Sequence, residues 1–506
     1  MALDPRTPVL VGVGQVTERP DQTRSVTERA EPVELMARAL RAAAGDCGGG
    51  GAGDRLLAGA GSLRIMVPLS WRYANPGLLV AQRLGLSPAE SALTSIGGNN
   101  PQTVVNQTAL AIAAGDLDVA LLAGAECIFT RLAARRDPGR PVLPWTTQPP
   151  DTPEPVRLGV DRPAVTDGEL ARGLDRPATV YPLFENALRA ASGEGIADHQ
   201  AKVSEMWARF SEVAAGNPYA WSPRARTALE LRTVGPDNRM VSFPYPKLFN
   251  ANDRVDQGAA MILCSVEAAR SAGVPDDRWV FPLSGADAHD HWFLSHRDDL
   301  RSSPAIRLAG RRALHLAGVG IDDIAYIDLY SCFPCAVQIA AHELGLPIDD
   351  ATRPLTVTGG LGFAGGPGNN YVSHSIATMA GTLRRDPGSV GLVTGLGWYV
   401  TKHAIGVWST KPPPNGFAFD SPQEDVDALP QRAPASDFEG EATVETYTVI
   451  HGRDGRPERA IVALLTKDGA RAWGTLADHE ALEGLEGEEG CGRPAKVHAD
   501  GRTELR

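Results

Sequence analysis

The chain has 506 residues, 43% of them hydrophobic, too long for one simple core and too apolar for wholesale disorder. Its formal net charge of -12 argues against a general nucleic-acid or anionic-membrane binder, although local basic patches can still steer a phosphorylated ligand.

In chain order, Pro8 to Gly14 reads as a buried strand, with no basic stretch and long apolar run to mark a secretory signal. Pro32 to Ala44 reads as a helix with proline in its first turn and Gly45 just past its end. Buried strands alternating with helices indicate an α/β protein with a mainly parallel sheet. An internal repeat follows. Residues 97–125 (GGNNPQTVVNQTALAIAAGDLDVALLAGA) and 365–397 (GGPGNNYVSHSIATMAGTLRRDPGSVGLVTGLG) each run from a Gly-rich loop and Asn pair through an amphipathic helix and turn to an apolar strand. Asn100 and Asn370 read as the helix caps. The matching order of four elements points to a duplicated α/β domain. The apolar run Val119 to Ala125 is too short to cross a bilayer, so no membrane insertion is expected.

Residues 131–182 hold ten prolines and read as a surface excursion, followed by helical segments at Leu183 to Ala191 and Gln200 to Ala215. After Thr410, Lys411 to Gly416 reads as a flexible linker. Residues 409–506 carry 11 Lys/Arg against 19 Asp/Glu. The runs Ala442 to Ile450 and Arg459 to Thr466, then Gly474 to Leu476, suggest a separately folded β module from about Asp437. It could take the shape of an oligonucleotide-binding-type barrel, but its charge disfavours nucleic acid. Six scattered cysteines (Cys47, Cys127, Cys264, Cys332, Cys335, Cys491) form no disulfide framework and suit a reducing cytoplasm. The lone Cys332-x-x-Cys335 pair has no partner pair at zinc spacing, and His289, His291 and His296 read as loop, so no metal site is expected.

Five short motifs, in order, resemble the thiolase superfamily, its sterol-carrier type and actinobacterial relatives with an additional C-terminal domain. They are Gly115 to Glu126 (GDLDVALLAGAE), Asn217 to Ala220 (NPYA), Asp256 to Ala260 (DQGAA), Asp328 to Phe333 (DLYSCF) and Gly359 to Pro367 (GGLGFAGGP). The resemblance covers residues 6 to 408. It implies a duplicated thiolase fold, five-layered α/β/α/β/α, with an inserted loop domain and a small C-terminal β module. The division expected is an N-terminal half at 1–270 with the loop domain at about 127–240, a C-terminal half at 271–408, and a linker and extra domain at 409–506. It also implies an acetyl-CoA acetyltransferase-like protein of lipid metabolism, with a coenzyme A thioester as substrate or ligand and no tightly bound cofactor. A homodimer or a small partner protein is the assembly it allows.

The family's chemistry does not carry over. Counting back from Ala111-Ile112, the nucleophilic cysteine falls at Gly98; the histidine of the GHP loop falls at Gly366, and the second cysteine near Gly395. The oxyanion-hole asparagine becomes Tyr330, which reads either as a donor or general acid or as packing that fills the volume left by Gly98 and Gly366. Asn99, Asn100, Gly365, Asn369, Asn370 and His403 are the remaining candidates for holding substrate. Cys332 reads as a buried structural thiol and His374 as a buried, hydrogen-bonded histidine. Two functions stay open: an acyl-CoA enzyme with altered acyl transfer or retro-aldol C–C cleavage, and a non-catalytic acyl-CoA-binding scaffold or partner-docking protein.

Overall fold

A computed structural model describes residues 3–21 and 23–506. The first strand, Pro8–Thr17, pairs antiparallel with the late strand Asp256–Ser265, which pairs antiparallel with Val119–Cys127. Ser62–Ile65, Glu90–Thr94 and Val156–Leu158 continue the sheet in parallel. All ten residues of Asp256–Ser265 are buried, as expected of a strand covered on both faces.

The second sheet repeats this plan. Phe281–His289 pairs antiparallel with Lys402–Ser409, which pairs antiparallel with Val390–Gly397, and Tyr326–Asp328 runs parallel beyond it. In both halves the opening strand therefore lies against the closing strand, and the closing strand against the one that follows the repeat's helix. The duplication legible in 97–125 and 365–397 thus extends to four strands of each sheet; beyond them the first sheet adds Glu90–Thr94 and Val156–Leu158, and the second adds Ala418–Asp420 beside Phe281–His289.

The two repeat helices, Asn100–Ala114 and Tyr371–Arg385, each lean on the opposite half. From the first, Asn106 Nδ2 donates to Asp287 Oδ1 (2.7 Å) and the Ile405 carbonyl; from the second, His374 Nδ1 meets Gln15 Oε1 at 2.8 Å. Helices Pro32–Asp46 and Pro304–Ala317 cover the outer faces with their buried stripes. Helix, sheet, paired helices, sheet and helix make the five layers.

The insert contributes helices Pro177–Ser192 and Ile196–Gly216, both longer than the sequence reading. Pro182 sits inside the first without ending it, because tertiary packing overrides local propensity. Strands Gly440–His451, Pro457–Thr466, Arg471–Leu476, Pro494–Val497 and Thr503–Leu505 form the tail, with helix His479–Gly487 between the third and fourth. A parallel bridge from Thr475 to Arg502 brings the last strand back to the third, the Greek-key order of an oligonucleotide-binding-type barrel.

The tail does not stand apart from the core. Its sheet recruits Met240–Ser242 of the insert, and the Phe243 amide donates to the Val449 carbonyl at 2.8 Å. Arg471, fully buried, binds both oxygens of Glu445 at 2.6 Å and the carbonyls of Leu294 and Arg297. A buried guanidinium needs such partners, and here all the carbonyls, that of Asp298 included, lie outside the tail. Among the described residues no helix is long and apolar enough to cross a membrane.

Candidate functional site

The centre lies where the Gly-rich loop before Asn100–Ala114 meets Tyr330 and the strand end Thr394–Gly397. A Cβ built on Gly98 would fall onto the Tyr330 hydroxyl, 2.7 Å from Tyr330 Cζ and 2.5 Å from the Leu396 carbonyl oxygen. One on Gly395 would lie 2.9 Å from Asn99 Cα. These separations are shorter than van der Waals contact, so the two glycines let the loop and strand touch directly. Gly366 differs: its nearest neighbours would be 3.4 Å away, ordinary contact. The phenol thus occupies the place of a Gly98 side chain and not that of Gly366, which corrects the expectation that it fills both.

Tyr330 is 7% exposed. Its amide donates to Thr394 Oγ1 (2.9 Å), and its ring meets Tyr371 edge-on at 5.4 Å. Burial pushes its acidity well below that of a free phenol, with the Cys332 charge adding to the effect. Among the described residues its hydroxyl has no hydrogen-bond partner. The void shared by Tyr330, Gly395, Leu396 and His403 is about 10 Å³, room for at most one water.

Below it, Asp328 is fully buried. Its Oδ1 accepts from Thr356 Oγ1 (2.7 Å) and the amide of Val357 (2.9 Å), and its Oδ2 from Tyr371 Oη (2.9 Å). One carboxylate therefore fixes both the loop leading into Gly359-Gly360 and the tyrosine that braces Tyr330.

The asparagines do not cap with their side chains, although Asn370 stands at the expected cap position. Asn100 is the first helical residue rather than the cap, and neither Asn99 nor Asn370 caps with its side chain. Asn369 instead staples the halves: its Oδ1 accepts from the Gly97 amide and its Nδ2 donates to the Val67 carbonyl, both at 2.8 Å. Asn370 Nδ2 donates to the Gly124 carbonyl at 2.6 Å. The cross-half contacts outcompete local capping because they satisfy buried backbone groups that water cannot reach. Gly365, at φ +113, abuts the Gln257 amide. Asn99 Oδ1 is buried without a partner.

His403 lies 3% exposed, its Nε2 3.2 Å from Asp290 Oδ2 and 3.3 Å from Ser303 Oγ. Aspartate and serine share one ring nitrogen, so the trio lacks the relay of a nucleophilic triad, which needs them on opposite nitrogens. His374 Nε2 is buried without a partner, and burial lowers the His374 pKa to about 3. Burial likewise pushes the Cys332 thiol up to about 12, which removes it as a nucleophile at neutral pH. All six cysteines are free thiols. His289 and His291 bind the backbone carbonyls of Asp290 and Leu429. Among the described residues no three His, Cys, Asp or Glu side chains cluster for a metal.

Sequence reasoning missed Lys402. It is 6% exposed, donates to the Ile96 carbonyl at 2.6 Å and sits 5.6 Å from the Trp398 ring centre. Burial lowers its pKa to about 8, with the charge of Asp161 opposing the shift. Its sequence signal was slight: one of only six lysines among 49 basic residues.

The layered duplication is the thiolase fold. A curated acetyl-CoA acetyltransferase of Methanocaldococcus jannaschii is 23% identical over 268 residues; the match takes in 53% of this chain and 60% of that protein's length. The solved Ltp2-ChsH2(DUF35) aldolase shares the fold at TM-score 0.59 and 20% identity, over 80% of this chain and 98% of that one. Residues 422–502 match the family described as thiolase-like protein type 1 additional C-terminal domain. A monomeric SCP2-thiolase like protein type 1 from Mycobacterium smegmatis is 35% identical over the whole of both chains, with a TM-score of 0.85. The chain belongs to that family, the SCP2-thiolase-like proteins of type 1.

Proposed function

We propose that this protein binds a coenzyme A thioester without forming an acyl-enzyme. The observation that carries the reading is the Tyr330 phenol in the space a Gly98 side chain would need, with a remaining void of about 10 Å³. A covalent acyl transfer needs a nucleophile within reach of a carbonyl, and this centre has neither the side chain nor the room. The free thiols support a reducing, cytoplasmic setting. Acetyl-CoA and acetoacetyl-CoA should leave the intact mass unchanged, while a bound acyl-CoA raises the melting temperature by mass action. A stoichiometric acyl adduct on any cysteine overturns the reading, and so does a melting temperature indifferent to every acyl-CoA at millimolar concentration.

A second reading is favoured by the unpartnered Tyr330 hydroxyl. Brought against a substrate oxygen after the loop opens, the phenol would donate to developing negative charge in retro-aldol cleavage of a β-hydroxyacyl-CoA. Its mark would be C–C bond cleavage that Tyr330→Phe slows on the order of a hundredfold while binding persists.

A further inference from the structure

Three hollows could hold a ligand that the closed centre cannot; in one of about 380 Å³, lined by Arg307, Arg311 and His342, Glu343 already pairs with Arg307 at 2.8 Å, which leaves two. The smaller, about 130 Å³, lies between helix Ile196–Gly216 and the segment around residues 348–356. Its two arginines are already engaged: Arg209 with the Ile348 carbonyl, Arg353 with the Ile321 and Ile324 carbonyls. Glu212 and Asp350 line it as well, so no net positive charge is left for a phosphate.

The larger is an open cleft of about 720 Å³, within the range of small-molecule sites. Its floor includes Ser95 and Ile96, the two residues leading into Gly97-Gly98. Leu69 and Ile96 present apolar surface there at 44% and 40% exposure, beside the Trp71 ring. Arg72, Arg131 and Arg157 line the same cleft, with Asp161 as the opposing charge. Among the described residues Arg72 and Arg131 have no carboxylate within ion-pair distance; Arg131 Nη1 reaches only the Leu69 carbonyl, at a long 3.3 Å. Arg157 has only the exposed Glu154, at 3.7 Å, a pairing worth little in solvent. In a chain of net charge -12, three under-compensated guanidiniums around an apolar and aromatic surface match a ligand that joins phosphates to an apolar tail.

We infer that this cleft is where the coenzyme A thioester binds, its phosphates on Arg72, Arg131 and Arg157 and its acyl chain along Leu69, Trp71 and Ile96. The inference rests on the acyl-CoA reading above and adds a place that the counted-back thiolase positions do not mark. The ligand lies outside the sealed centre, against the outer side of the loop that seals it. That geometry accounts for binding without acyl transfer.

Titration calorimetry with palmitoyl-CoA, coenzyme A and palmitate separates the contributions. The full-length protein should bind palmitoyl-CoA more tightly than either fragment. Arg72→Glu/Arg131→Glu/Arg157→Glu should weaken it at least tenfold. Arg72→Glu/Arg157→Glu, confined to two exposed side chains, should weaken it several-fold and keeps the test decisive if the triple variant misfolds. Arg453→Glu/Arg456→Glu, on an exposed turn of the tail, should bind like the wild type. If the wild type binds no coenzyme A species, the acyl-CoA reading falls and this inference with it. If palmitoyl-CoA binds but the cleft variants match the wild type, or lose no more than the tail control, only the cleft assignment falls. Palmitate binding as tightly as palmitoyl-CoA would remove the role given to the phosphates.

Discussion

The same residue type does opposite work at two of the three glycines that the motif spacing singles out. Gly98 permits contact between the loop, Tyr330 and the Leu396 carbonyl, whereas Gly366 has ordinary space around it. Gly98→Ala should therefore cost about 1–3 kcal/mol as an overpacking change, while Gly366→Ala should stay within about 0.5 kcal/mol, as for substitutions away from special features. Urea denaturation of both variants checks the contrast. Adding Tyr330→Ala to Gly98→Ala should recover part of the loss, since the two side chains compete for one volume; strictly additive costs would show that the phenol does not fill that place. His374 gives a pH prediction. Burial holds its folded pKa near 3 against 6.5 for the free side chain. Its contribution to stability is therefore intact above about pH 6.5 and is lost as the pH falls toward 3. His374→Gln should flatten the decline between pH 7 and pH 4.5 relative to wild type, and an unchanged slope would mean that the imidazole is not held neutral.

At the scale of elements, the two helix starts were legible as a repeated pattern and misread in their detail. An Asn pair after glycines is a capping signal, and the sequence contains no sign that a second half lies within reach. The structure spends Asn369 on the Gly97 amide and the Val67 carbonyl, residues about 270 and 300 positions away. Asn369→Ala should thus leave two buried backbone groups unpaired and cost about 2–4 kcal/mol, against the roughly 1 kcal/mol of a lost cap. Equilibrium unfolding distinguishes the two values. The same reasoning separates what could be read from what could not. The positions assigned to Gly98, Gly366 and Gly395 rest on motif spacing along one helix, one loop and one strand end, all of it local in the sequence. That Asp328 organises the loop at 356–360, or that Lys402 stands behind Ile96, depends on long-range register that no local spacing encodes. The tail's long strands showed β patterning, but Pro494–Val497 and Thr503–Leu505 are too short for alternation to stand out.

For the whole molecule, the open question is whether the acidic tail is cargo on a tether or part of the folded unit. Composition favours a tether: Lys411 to Gly416 is proline-rich and mostly exposed, and the surplus of acidic residues beyond it suggests a solvated module. The contacts favour a single unit. Asn186 Nδ2 of the insert donates to the Tyr447 carbonyl at 2.8 Å, and Thr446 Oγ1 to the Leu183 carbonyl at 2.6 Å. The nearly fully buried Arg189 forks onto Glu489 at 2.5 and 2.9 Å. Arg471 joins the barrel to the segment 294–298. Limited proteolysis should therefore cut at 411–416, yet the two fragments should elute together from a sizing column and melt in one transition. Arg471→Ala strips Glu445 of its buried partner and leaves the Leu294 and Arg297 carbonyls bare, a loss on the order of 3–5 kcal/mol for a broken buried pair. In that variant the nicked tail should separate from the core, or melt ahead of it. A wild-type tail that leaves the column alone after the cut would show that the interface is too weak to hold it, and that the module is tethered after all.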